Sequence, residues 1–236
     1  MIRTVAETGS TNADLAARLR AGEHVTEGDW LVADRQVAGR GRQGRPWSDG
    51  AGNFMGSTVL RPGAGDPPAH TLTLAVALAL YEALLPLLAD PQALTIKWPN
   101  DLLLGGAKLS GILLEREGTA VVIGIGVNLA QAPELPDRPT MALSRLGPAP
   151  DRDAFALSLA AAFDREIERW RTFGTEPLIR RWLAAAHPVG TPLKVHDAGG
   201  TAIPGTFEGL APDASLLLRL DNGTRRAIHA GDVTLG

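Results

Sequence analysis

The stretch from Thr71 to Ala89 reads TLTLAVALALYEALLPLLA and is apolar almost all the way round a helix. Such a helix must be covered on nearly every side, so the rest of the chain has to supply a layer for it to lie on. Its length is close to what a bilayer requires. Glu82, Pro86, two threonines and much alanine favour a buried core helix over a membrane span. The N-terminal MIRTVAETGSTNADLAARL contains no uninterrupted apolar run of signal-peptide type. No membrane partner is expected.

The material for that layer is visible on both sides of the helix. Trp30–Ala33, Phe54–Leu60, Leu94–Trp98, Leu109–Glu115 and Ala120–Val127 have strand patterns, with Glu117-Gly118 as a turn before the last. Thr11 to Ala21 predicts a helix with Ser10 or Thr11 as cap. From Asp153 to Phe173 the spacing puts Phe155, Leu159, Phe163, Ile167 and Trp170 on one helical face. A second short helix is predicted from Pro177 to Ala186. Strands and helices do not alternate strictly, so a mixed sheet is expected. From Pro188 onward five short β-like runs follow, at Leu193–Val195, Thr206–Glu208, Leu216–Leu220, Arg226–His229 and Val233–Leu235. That pattern predicts a small barrel, and hence two domains, 1–187 and 188–236.

Two bulk properties exclude whole classes of chemistry. There is no cysteine, which removes disulfides, thiolate metal sites and a cysteine nucleophile, and fits a cytoplasmic location. Net charge is −3, so no global field attracts nucleic acid, and affinity for phosphate must be local.

A local anion site is present. Gly39-Arg40-Gly41-Arg42-Gln43-Gly44-Arg45-Pro46-Trp47 follows Arg35, and no acidic residue lies between Asp34 and Asp49. Glycines let backbone N–H groups approach a ligand, and guanidinium groups make forked bonds to phosphate or carboxylate. A merely solvated basic loop would not need glycine and arginine in alternation. Gly39, Gly41 and Gly44 also match G-x-G-x-x-G, but no helix pattern follows and Val59 stands where an acidic residue is needed. A dinucleotide-binding turn is rejected, and a Walker A loop is absent.

Lys97-Trp98-Pro99-Asn100-Asp101 and Lys108-Leu109-Ser110-Gly111-Ile112-Leu113-Leu114-Glu115 form the second feature. Pro99 ends a strand and places Asn100 and Asp101 on a turn. Asn100 can read a purine or a sugar, and Asp101 can hold the turn or help hold Mg²⁺. Lys108 can project into a cleft or lie on the surface of a hairpin, and the residues alone leave both open. Trp98 reads as core. In Ile123-Gly124-Ile125-Gly126-Val127-Asn128, glycines within a strand imply that a ligand or another element approaches its backbone. Ser10-Thr11-Asn12 by itself reads as a helix cap.

Together and in this order, these segments resemble the biotin protein ligase family, in its type without an N-terminal DNA-binding domain. GRGRQGRPW is similar to its glycine-arginine loop, KWPNDLLL with KLSGILLE to its second signature, and IGIGVNL to its third. The resemblance spans nearly the whole chain. It implies an α+β fold: a mixed β-sheet with helices packed on one face, followed by a small SH3-like β-barrel. It implies a ligase that uses ATP and Mg²⁺ to make biotinyl-5'-AMP and then biotinylates a lysine of a biotin carboxyl carrier protein. No DNA partner is expected, because Ser10 opens the catalytic motifs without room for a preceding helix-turn-helix. A homodimer is expected from the family.

The resemblance also assigns roles. Ser10, Thr11 and Gln36 would bind the ureido head of biotin, and Gly39, Arg40 and Gly111 would complete that pocket. Arg42 and Arg45 would meet carboxylate and phosphates. Trp47 would cover the adenine side, and Asn100 and Asn128 would contact the nucleotide. Lys108, with Arg42, would be catalytic, between the biotin carboxylate and the α-phosphate. Family members carry a nucleotide-contacting arginine near the C-terminal end, where this sequence reads Gly231-Asp232-Val233-Thr234-Leu235-Gly236. All the motifs precede Pro188, so adenylate synthesis is expected mainly in residues 1–187, with the barrel serving the carrier and supporting the nucleotide side of the cleft. Two alternatives remain: a lipoate–protein ligase, or a non-catalytic carrier-binding protein. The full set of loop arginines together with Lys108 argues against the second.

Overall fold

The computed structural model describes residues 1–196 and 201–235. Seven strands form the first sheet: β1 (Ile2–Thr8), β2 (Trp30–Gln36), β3 (Phe54–Leu60), β4 (Leu94–Lys97), β5 (Asp101–Leu104), β6 (Ala107–Glu117) and β7 (Ala120–Val127). Their order is β1-β2-β3-β7-β6-β5-β4. β1 pairs with β2 in parallel and every other pair is antiparallel, so the sheet is mixed.

Four helices accompany it: α1 (Thr11–Arg20), α2 (Leu72–Leu84), α3 (Arg152–Phe173) and α4 (Thr175–Ala185). The Thr71–Ala89 stretch behaves as its composition demands. A helical segment from Ala69 to Leu87 is long and apolar enough to cross a membrane, yet in the fold it is a core element. Leu72, Leu74, Val76, Leu80 and Leu84 are buried with Ile123, Ile125, Phe155, Phe163 and Trp170 in one cluster. Trp170 donates its indole N–H to Thr71 Oγ1 at 2.8 Å, so this large side chain is buried with its polar atom satisfied. Asp151 caps α3 by accepting from Ala154 N at 2.8 Å, and Gly174, at φ 74°, ends it. Glu166 on α3 is fully buried between Arg169 and Arg181. Burial alone would push its carboxyl up, but the two guanidinium groups hold it below the ordinary carboxylate range.

Strand alternation divides the sheet into two faces. Val121, Ile123, Ile125 and Val127 of β7 join the helical core, whereas Ala120 and Val122 join Leu15, Val25, Leu31 and Val59 beneath α1. Helices α2, α3 and α4 therefore share one face, and α1 covers part of the other. Beside α1, that second face is where the functional residues gather.

The second sheet has β8 (Pro192–His196), β9 (Ala202–Leu210), β10 (Leu216–Arg219), β11 (Arg225–Ile228) and β12 (Asp232–Leu235), ordered β11-β10-β9-β8-β12 and wholly antiparallel. Leu193, Val195, Phe207, Leu216, Leu218 and Val233 fill it. It is docked against the first domain: Trp98 donates its indole N–H to Ala214 O at 3.2 Å, and Lys97 Nζ donates to Val233 O at 3.0 Å.

Two strands differ from the sequence expectation. β1 has an exposed, polar pattern, because it is an edge strand with little to bury. β5 begins at Asp101, which was expected on the turn; only Trp98 to Asn100 make the turn.

Candidate active site

The floor of the site is the β6–β7 pair. Gly111 stands opposite Gly126, and Leu113 opposite Gly124. A methyl group on Gly126 would collide with the Trp47 indole, and one on Gly124 would collide with Asn12. The glycine strand predicted to be approached closely is thus approached by two side chains from elsewhere in the chain. Above this floor lies a cavity of about 940 Å³, within the range of small-molecule sites.

One end of the cavity is neutral and polar. Ser10 is the N-cap of α1, and Thr11 and Asn12 follow in its first turn, all three buried. Gln36, the last residue of β2, accepts at Oε1 from Thr11 N (2.8 Å) and Thr11 Oγ1 (3.1 Å). Thr11 Oγ1 lies 2.6 Å from Ser57 Oγ, Ser57 donates to Asn12 Oδ1 at 2.6 Å, and Asn12 Nδ2 donates to Glu115 Oε2 at 2.7 Å. The network fixes the rotamers of these side chains in advance, which is what selective recognition of a small polar head requires. Asn12 and Ser57 were not expected here. Asn12 belongs to the Ser-Thr-Asn motif singled out from sequence but was given no role of its own, and Ser57 is hidden because it sits inside an apolar strand.

The other end is cationic. Lys108, on β6, places Nζ 2.7 Å from Asp101 Oδ1, and Lys97 Nζ is 3.1 Å from Asp101 Oδ2. Burial would raise the Asp101 carboxyl; the charges of Lys108 and Lys97 offset this and hold it below its ordinary value. Asp101 is therefore an ionised counter-ion for two lysines, and a magnesium ion there would have to displace both. Among the described residues no group of three or more His, Cys, Asp or Glu side chains could hold a metal ion. The backbone of Lys108 is itself clamped, with its N–H donating to Pro139 O and its C=O accepting from Met141 N, each at 2.9 Å. Pro139, Arg138 and Thr140 thereby line the cavity wall.

The glycine-arginine loop closes the mouth. It folds back on itself, with Trp47 N–H on Gly39 O (2.9 Å) and Gly41 N–H on Arg45 O (2.8 Å). Gln43 and Gly44 turn the tip with φ 57° and 72°. Arg42 donates to Asn100 Oδ1 at 3.1 Å, and Asn100 in turn donates to Ile112 O at 2.6 Å. Trp47 lies over the glycine floor with Lys108 Nζ 5.8 Å from its ring centre.

Of the residues singled out from sequence, Ser10, Thr11, Gln36, Arg40, Arg42, Arg45, Trp47, Asn100, Asp101, Lys108, Gly111 and Asn128 all line this one cavity. Gly39 stands behind the lining, with a Cβ there falling 3.1 Å from Trp47 O and 3.2 Å from the Gln36 amide. The barrel, expected mainly to serve the carrier and to support one side of the cleft, contributes directly to the cavity. His196, Asp232, Val233, Thr234 and Leu235 line the same cavity, because β12 is laid against the loop and the β4–β5 turn.

Comparison with known proteins agrees with this geometry. The Biotin/lipoate A/B protein ligase family matches residues 8–128, and the Biotin protein ligase C terminal domain matches residues 190–236. The chain is 42% identical to a biotin–[acetyl-CoA-carboxylase] ligase of Paracoccus denitrificans, over 98% of this chain and 99% of that protein. It is 38% identical to the enzyme of the same name from Mycobacterium tuberculosis, over 97% and 86%. The structure of a biotin protein ligase from Aquifex aeolicus in complex with biotin and ATP superposes with a TM-score of 0.86 at 26% identity, covering 100% of this chain and 98% of that one. A polar pocket, a paired-lysine centre and an arginine loop on one glycine floor, with full-length relatives of this kind, place the chain in the biotin protein ligase family.

Proposed function

We propose that this cavity joins biotin to ATP and then passes the biotinyl group to a lysine of a biotin carboxyl carrier protein. The observation that supports it most is the junction of the two ends: a neutral hydrogen-bonding pocket at Thr11, Asn12 and Gln36 meets Lys108, Lys97 and Arg42 within one enclosure. A ureido head suits the first and a carboxylate the second. The paired domain labour is 1–187 for the ligase sheet and 188–236 for the barrel, with both contributing to the cavity.

In the first step a biotin carboxylate oxygen attacks the α-phosphorus, the bond to the bridging oxygen breaks, and pyrophosphate leaves. Two anions must first be brought together, and the ammonium groups of Lys97 and Lys108 with the guanidinium groups of Arg42 and Arg45 offset that repulsion. Lys108, held in place by Asp101, meets the charge that builds at phosphorus. Asn100 and Asn128 contact the nucleotide. Magnesium, brought in on the phosphates, would supply charge neutralisation at the leaving pyrophosphate beside Arg42 and Arg45. In the second step the carrier lysine amine attacks the acyl carbon, AMP leaves, and the amine proton is lost to solvent. The loop carrying Trp47 keeps water from the mixed anhydride in between.

The partner is the carrier domain of a carboxylase, as the names of the relatives suggest. A homodimer would use the free edge of β1, whose backbone is unpaired on one side. The cysteine-free composition suits the cytoplasm. The test is a carrier domain incubated with ATP, Mg²⁺ and biotin, followed by mass spectrometry. One biotinyl adduct on one lysine is expected; no adduct, or a lipoyl adduct formed equally well from lipoate, would overturn the reading.

A further inference from the structure

The last strand of the barrel sends a carboxylate into the ligase cavity. Asp232, which opens β12, forms an ion pair with Arg45 and lies 3.5 Å from Arg42 Nη1. The carbonyl of the preceding Gly231 accepts from Arg42 Nη2 at 3.3 Å. Backbone pairing of β12 with β8 does not call for a charge at this position, since Asp232 stands opposite His196 through main-chain register alone. Its carboxylate is instead spent on two guanidinium groups nearly 190 residues away in sequence. The loop that carries those arginines is held at Trp47 by the glycine floor and at Arg42 by Asn100, and Asp232 adds an anchor from the barrel.

We propose that Asp232 is a positioning residue that stands in for the phosphates of ATP. Before the nucleotide arrives it holds Arg42 and Arg45 inside the cavity, and the incoming triphosphate has to displace it. Carboxylate and phosphate bind guanidinium by the same forked geometry, so the two compete for one set of donors. The competition has a definite sign. A receptor whose ligand groups are already occupied binds with an affinity reduced by the fraction that is free. Asp232 therefore weakens ATP binding while keeping Arg42 and Arg45 from repelling one another. It also returns to the arginines once pyrophosphate has left, which favours product release. The inference rests on Arg42 and Arg45 being phosphate ligands.

The test is equilibrium titration of the full chain, without biotin so that no adenylate forms, using Mg·ATP and, separately, adenosine. Asp232→Asn keeps the shape and removes the charge; Asp232→Ala removes both; Asp232→Glu keeps the charge. Because the pair is partly solvated, Asn and Ala variants should bind ATP roughly threefold to tenfold more tightly. Adenosine, which has no phosphates, should bind as it does to the unaltered protein, and the Glu variant should resemble the unaltered protein with both ligands. Thermal melting checks that each variant is folded, and the near-isosteric Asn form decides the matter if the Ala form is not. Unchanged or weaker ATP binding by Asp232→Asn overturns the proposal, as does equal tightening of adenosine. If the unaltered chain bound no ATP at all, the phosphate-site reading would fall, and this inference with it.

Discussion

Lys108 and Asp101 form a buried ion pair at 2.7 Å, and Lys97 shares the same carboxylate from the opposite side. The Lys108 ammonium group, to which the proposed reaction gives the catalytic role, is thus held at a fixed place before any substrate enters. Lys108→Ala should lower the rate of adenylate formation by about 10²–10³, the usual cost of losing one preorganised electrostatic contact. Biotin affinity should change far less. Single-turnover release of pyrophosphate, compared with biotin titration, separates the two.

Thr11 spends both its N–H and its hydroxyl on Gln36 and Ser57. Thr11→Val keeps the shape and removes the hydroxyl, leaving buried polar partners short of one hydrogen bond. The unsatisfied partners should cost about 1–3 kcal/mol of stability, read by thermal melting, and the loss of a preorganised hydroxyl should weaken biotin binding. Calorimetric titration measures that weakening, and ATP affinity in the absence of biotin should stay the same.

Gly126 admits the Trp47 indole directly against the floor strand. Gly126→Ala should push the loop out of its place while leaving the sheet intact, since the added methyl meets a side chain from a loop. Biotinylation should fall by at least about tenfold, in line with the cost of misplacing reacting groups by about an ångström. Far-ultraviolet circular dichroism should be unchanged.

His187 lies at the junction of the two sheets, 5% exposed, with its ring edge-on to Phe207 at 4.4 Å between centroids. Burial, with a smaller contribution from the charge of Lys97, holds its pKa below the ordinary 6.5. The unfolded chain therefore takes up the proton first as the pH falls. Stability should be full above pH 6.5 and decline below it, by at most about 1.4 kcal/mol per pH unit from this group. Melting temperatures between pH 5 and 8 should show a smaller acid-side decline in His187→Phe than in the unaltered protein.

The sequence made the chemistry more legible than the topology. The glycine-arginine loop was readable because it carries a residue pattern that packing alone does not require; the Gly124/Gly126 strand signalled a close approach without naming what approaches, and Lys108 was placed in the cleft only through the family resemblance. The long core helix and the five-strand barrel were readable from apolar periodicity and turn residues. β1 was not, because Ile2 to Thr8 is largely exposed and lacks a buried face. β5 was not, because Pro99-Asn100-Asp101 reads as a turn. The placement of α1 on the sheet face opposite the other helices depends on strand register, which local pattern does not set. The roles of Ser57 and Asp232 depend on which segments meet, and Asp232 meets its arginines only after the barrel docks.

In the proposed reaction one cavity activates biotin through an adenylate. Isotope exchange between labelled pyrophosphate and ATP measures that step without a carrier protein. Exchange should require both biotin and Mg²⁺, be nearly abolished in Lys108→Ala, and be weak with lipoate. Exchange that proceeds without biotin, or equally well with lipoate, would contradict the proposed reaction.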